Sequence, residues 1–86
     1  GETAFLNISS RLAKRLIELA ESRGIREEGS SHVELELTQK ELASLVGVSR
    51  ESINKELKRW RDRDLVATSR NRLIITDLEA IRKRVR

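Results

Sequence analysis

Apolar side chains at Leu12, Ala13, Leu16, Ile17, Leu19 and Ala20 recur at the three-to-four-residue spacing of a helix buried along one face. Ser9 or Ser10 can cap that helix, and Gly24 suits a left-handed end, so the pattern predicts a helix to about Arg23. The seven residues before it have no clear period and read as a tail or the remnant of an upstream linker helix. Residues 24–32, with Gly24, Gly29, Ser30 and Ser31, predict a polar loop. Val33-Glu34-Leu35-Glu36-Leu37 then alternates with period two, the pattern of a short half-buried strand.

Two short capped helices follow. Thr38 opens the first with Glu41 three positions on, the spacing of a capping box, and Leu42, Leu45 and Val46 are expected to form its inner face. Gly47 ends it, Val48 packs in the turn, and Ser49 caps a second helix running to about Asp62. Two β-prone runs, Leu65 to Thr68 and Arg72 to Ile75, flank the turn Ser69-Arg70-Asn71, where asparagine tolerates left-handed geometry. Thr76 with Glu79 suggests a second capping box, before a last helix carrying Leu78, Ile81 and Val85 and ending on Arg82-Lys83-Arg84-Arg86. The order helix, strand, helix, helix, hairpin, helix predicts a mainly α fold with a small antiparallel β wing: a winged helix-turn-helix over residues 8–86.

Eighty-six residues allow one small domain, and 37% hydrophobic content is enough to give it a core. There is no cysteine, which excludes disulfides and thiolate metal sites and fits a reducing cytoplasm. No apolar stretch approaches the roughly 20 residues of a membrane span, so no membrane partner is expected. The net charge of +4 is unevenly placed: residues 1–37 balance at −2 and residues 38–86 at +6, so the basic excess accompanies the two capped helices.

At 100° per residue, Ile53, Leu57 and Trp60 fall within about 60° of one another and define the buried side of the second helix. Glu51, Lys55 and Lys58 lie opposite, and Arg50 extends from the first turn. A helix entering a major groove by its N-terminus would present Arg50, Glu51, Asn54 and Lys55 to base edges. Arginine can donate twice to guanine O6 and N7, and a glutamate accepts from a cytosine amino group, so an acid within a basic face favours specificity over charge attraction alone. Thr38, Lys40, Ser49 and Ser52 sit at helix starts, where hydroxyls, an ammonium and free amides can hold phosphates, and Arg70 and Arg72 in the wing can reach the flanking backbone. Capping alone also explains Thr38 and Ser49. Trp60 is expected in the core rather than as a stacking platform, and Lys58, Arg59, Arg61 and Arg63 interleave with acids that can pair with them.

The run from Leu37 to Lys55, above all Val46-Gly47-Val48-Ser49-Arg50-Glu51-Ser52-Ile53, resembles the helix-turn-helix of the Crp/Fnr family of transcription regulators, and the likeness extends over roughly residues 8–76. It implies sequence-specific binding of double-stranded DNA, with base-reading roles on Arg50, Glu51 and Lys55 and phosphate contacts on Thr38, Ser49, Ser52 and Lys40. Lys55 stands where arginine is common and lacks its bidentate fork. Glu56 stands where the family has an aliphatic residue, which predicts a shallower core edge. The resemblance further implies a C-terminal domain of a larger bacterial regulator that dimerises and contacts RNA polymerase. No cofactor is expected in this domain; a cyclic nucleotide or other effector would bind an N-terminal sensor.

A rival reading is a winged helix that binds a protein partner through residues 24–37, since the fold alone does not fix function. Enzymatic activity is not expected: His32 is the only histidine, and neither a phosphate loop nor a carboxylate–histidine pair is present.

Overall fold

The structure is a computed structural model. It describes residues 2–25, 29–30 and 32–85, with residues 2–7 described by backbone alone. Expectations placed on Gly1, on residues 26–28 and 31 of the polar loop, and on Arg86 lie outside the described residues.

The elements are α1 (Glu2–Arg23), β1 (Val33–Glu36), α2 (Gln39–Val46), α3 (Arg50–Asp62), β2 (Val66–Ser69), β3 (Arg72–Ile75) and α4 (Leu78–Arg82). The expected order holds, with one early departure. Helix α1 begins at Glu2, so Ser9 and Ser10 lie inside it rather than capping it. No glycine or proline stands between Glu2 and Ser9 to stop the helix, and serine is tolerated in a helix interior.

Gly24 also serves differently from expectation. It is not among the glycines with positive φ, which are Gly29 and Gly47. A side chain at Gly24 would meet Val33 Cγ1 at 2.4 Å and the Ala20 carbonyl at 2.5 Å, so the requirement is close approach of β1 to the end of α1. Ile25 then exchanges two backbone hydrogen bonds with Glu34, at 2.9 and 2.8 Å.

The three strands form one antiparallel sheet in the order β1-β3-β2. Val33 and Val66 both face Ile75 in register, and Leu35 faces Leu73, so these residues share the inner side. The core joins them to Leu12 and Leu16 of α1, Leu42 and Val46 of α2, Ile53, Leu57 and Trp60 of α3, and Leu78 and Ile81 of α4. Leu45 departs from its expected place and is 37% exposed, while Ala43 is buried instead. In an eight-residue helix packed on α1 and α3, positions 42, 43 and 46 face inward, and 45 falls on the rim.

At the C-terminal end Asp77, not Thr76, caps the helix, its carboxylate accepting from Ala80 N–H at 3.2 Å. Thr76 still belongs to the sheet's end. Its N–H donates to the Leu65 carbonyl at 3.0 Å and its hydroxyl donates to the Asp64 carbonyl. The regular helix stops at Arg82, short of the expected basic end.

Glu56 is buried, 6% exposed, rather than lying at a shallow edge. It is tolerated because its carboxylate accepts from the Trp60 indole N–H at 3.0 Å and pairs with Arg59 at 3.6 Å. Trp60 itself is in the core, as expected, with the Arg84 guanidinium 5.4 Å from its ring centre.

Candidate nucleic-acid interface

Both helices of the central pair begin with the caps their sequence specifies. Thr38 Oγ1 accepts from Glu41 N–H at 3.0 Å, and Thr38 N–H donates to Glu41 Oε1 at 2.9 Å. That backbone donor, followed by the Thr38 hydroxyl and then by Arg23, holds the Glu41 carboxyl below its ordinary range. Gly47, at φ 84°, makes the left-handed turn out of α2. Arg11 donates to the Val46 carbonyl and Arg15 to the Leu45 carbonyl at 3.1 Å, so two α1 arginines neutralise the negative end of α2.

Ser49 caps α3. Its Oγ accepts from Ser52 N–H at 3.1 Å and donates to Ser52 Oγ at 3.0 Å, which leaves the Ser52 hydroxyl proton as the outward donor. The early amides of both helices lack intrahelical acceptors, as every helix start does.

Arg50, Glu51, Asn54 and Lys55 are all exposed, and none has a side-chain hydrogen bond or ion pair among the described residues. Glu51 and Lys55 lie opposite the buried stripe of Ile53, Leu57 and Trp60, Asn54 lies at its flank, and Arg50 extends from the first turn nearer the apolar edge. This is the arrangement expected for base reading: the apolar side fixes the helix, and the long polar side chains are free to take external partners.

The wing completes the surface. Thr38, Gln39, Lys40, Arg50, Thr68, Ser69, Arg70 and Asn71 line a single open cleft between the start of α2, the start of α3 and the β2–β3 turn. Asn71, at φ 63°, makes that turn, and its carbonyl accepts from Leu37 N–H at 2.9 Å, which ties the wing tip to the chain entering α2. The cleft carries three exposed cations, Lys40, Arg50 and Arg70.

The predicted phosphate set thus divides. Thr38, Lys40 and Arg70 line the cleft, and Ser49 and Ser52 sit at the start of the helix that Arg50 begins. Arg72 does not line it. Its guanidinium pairs with Glu34 across the outer face of the sheet. Gln39, Thr68, Ser69 and Asn71 line the cleft without having been singled out. Their sequence signal was adjacency, to a predicted cap on one side and a predicted turn on the other.

The Crp-like helix-turn-helix domain family matches residues 10–84. The chain belongs to that family. It is accordingly a DNA-binding helix-turn-helix unit of the kind found in transcription regulators. It is 38% identical over 86 residues to the CRP-like cAMP-activated global transcriptional regulator of Mycobacterium tuberculosis, an alignment covering all of this chain and 38% of that protein. It is 27% identical over 78 residues to the cAMP-activated global transcriptional regulator CRP of Escherichia coli O157:H7, covering 87% of this chain and 35% of the relative. A solved CRP/FNR-family transcriptional regulator from Thermus thermophilus superimposes with a TM-score of 0.79 at 28% identity, over 88% of this chain and 39% of that one. The chain therefore spans little more than a third of the length of the curated relatives it matches. Among the described residues there is no cluster of His, Asp or Glu able to hold a metal, and no helix long and apolar enough to cross a membrane.

Proposed function

We propose that this domain reads one half-site of double-stranded DNA with α3 in the major groove. The observation that carries the reading is the freedom of Arg50, Glu51, Asn54 and Lys55 on the first half of α3, beside a cleft lined by three cations. Arg50 donates to guanine O6 and N7, Glu51 accepts from a cytosine amino group, and Asn54 can pair with adenine N6 and N7. Lys55 donates to an acceptor at the next base without fixing its orientation. Thr38, Lys40, Ser49 and Ser52 hold one phosphate strand against the two helix starts, where free amides and the helix dipoles favour an anion.

In the intact regulator, two such domains would be held by a dimer at half-sites about one helical turn apart. The relatives are named as cAMP-activated, and an effector of that class, bound outside residues 1–86, is proposed to control whether the pair is presented to DNA. RNA polymerase would then be met by the promoter-bound dimer. A single copy gains no avidity, so the 86-residue chain should bind duplexes weakly and with strong salt dependence.

The test is selection by the 86-residue chain from a duplex library with a randomised central stretch, at low salt. Enrichment of one short sequence that changes at a single guanine·cytosine pair on Arg50→Ala supports the reading. Enrichment that is indifferent to Arg50→Ala contradicts it.

A further inference from the structure

The cleft fixes more than a phosphate contact. It is bounded on one side by the starts of α2 and α3 and on the other by the wing tip, and the Leu37–Asn71 hydrogen bond holds the two sides together. On duplex DNA a single phosphate strand separates the major groove from the adjacent minor groove. If that strand lies in the cleft while α3 occupies the major groove, the wing tip stands across it on the minor-groove side. This inference rests on the DNA-reading proposal above and deepens it.

We propose that Arg70 is a specificity-determining residue that enters the minor groove beside the half-site and selects A·T pairs there. Three features of the tip support it. Arg70 is exposed and unpartnered among the described residues, whereas Arg72, two positions on, is held by Glu34. Its neighbours Ser69 and Asn71 are short and polar, so the turn can approach a groove only about 6 Å wide without a bulky side chain in the way. The turn is anchored at both ends, by the Ser69–Arg72 register pair and by the Asn71 carbonyl, so the guanidinium is delivered from a rigid base. A·T-rich segments narrow the minor groove and deepen its negative potential, which favours an inserted arginine. A G·C pair places an amino group on the groove floor.

The role differs from that of Lys40 on the opposite wall. Lys40 meets a phosphate, which is the same in every sequence, so it adds affinity without preference. Arg70 adds preference at base pairs that no residue of α3 touches.

The experiment uses the 86-residue chain and the duplex enriched by the selection above, remade with three versions of the flank: A·T, G·C and inosine·cytosine. Inosine·cytosine presents the minor groove of A·T and a major groove like that of G·C. The expected result is that A·T and inosine·cytosine flanks bind alike, and that G·C flanks bind about tenfold more weakly, the size of one ordinary mismatch. Arg70→Ala should abolish that difference while leaving selection at the Arg50-dependent pair intact. Arg70→Lys should restore part of it. Inosine·cytosine behaving as G·C would overturn the inference, because the flank would then be read from the major groove. So would an R70A variant that weakens every flank equally, which is the signature of a phosphate clamp. Either result leaves the α3 reading standing, since Arg50-dependent selection is measured in the same titration. A parent chain that selects no duplex overturns both.

Discussion

Arg11, Arg15, Arg82 and Arg84 lie on the side of the molecule built by α1 and α4, and each is bonded within the chain. Arg11 and Arg15 reach the last carbonyls of α2, Arg82 bonds Glu21 at 3.0 Å, and Arg84 stacks on Trp60 and donates to Ser9 at 3.4 Å. On the cleft side, Lys40, Arg50, Lys55 and Arg70 are exposed and have no such partners among the described residues. Net charge treats both groups alike, yet the second makes no side-chain bond within the chain among the described residues. Lack of internal partners does not mark the proposed interface by itself, since Lys14 on α1 and Lys83 after α4 are exposed and unpartnered too; there it coincides with two helix starts and the wing. The wing shows the distinction within three residues: Arg72 is held by Glu34, and Arg70 is not.

The largest expected loss lies where the α1–α4 side reaches the core. Trp60→Ala should cost about 3–5 kcal/mol of stability, as expected for a large buried side chain that also leaves the Glu56 carboxylate without its indole donor. Urea unfolding would measure it, and a loss below about 1 kcal/mol would show that Trp60 is not packed as described.

On the cleft side the expected losses are in binding. Arg50→Ala should weaken the preferred duplex by about 1–3 kcal/mol and relax one position, with the urea midpoint nearly unchanged. Lys40→Ala should weaken all duplexes by a similar factor and reduce the slope of log K against log salt by about 1. A sequence-dependent effect of Lys40→Ala would move it from the phosphate group to the readers.

Arg82→Ala should change stability by no more than about 1 kcal/mol, because its pairs with Glu21 and Glu79 are exposed, and duplex binding should not change. Loss of binding there would erase the contrast between the two sides.

The smallest effect concerns the α2 cap. The Glu41 carboxyl is held below its ordinary range in the folded chain, so its contribution is present at neutral pH, above the unfolded value. It is lost as pH falls through the lowered folded value. Glu41→Gln should therefore flatten part of the acid limb in urea midpoints measured against pH, and leave the neutral-to-alkaline range parallel to the parent.

Much of this surface is legible in the amino-acid pattern. The run from Thr38 to Trp60 specifies its own caps, its glycine turn and its buried stripe through contacts no more than a few residues apart, and those elements stand where the pattern puts them. The misplaced features depend on distant partners. Leu45 is expected inside, but its place on the rim follows from how α2 sits on α1. Gly24 suggests backbone freedom, while the actual constraint comes from Val33, nine residues away. The pairing of Arg72 with Glu34, thirty-eight residues earlier, likewise leaves no mark in the local pattern. Thr76 looks like a cap because its bonds to Asp64 and Leu65 exist only once the sheet closes. Glu56 does carry a local clue to its burial: a tryptophan four residues on, one helical turn away on the same face.

The proposed function requires that unpartnered side chains around the cleft, and not the basic surface in general, meet DNA. It is tested most directly by following backbone amide shifts of the 86-residue chain on titration with the selected duplex at two salt concentrations. Salt-sensitive shifts should concentrate at residues 38–40, 49–55 and 69–71, with the amides of Arg11, Arg15 and Arg82 quiet. Shifts centred on α1 and α4, or spread evenly over the basic surface, would contradict it.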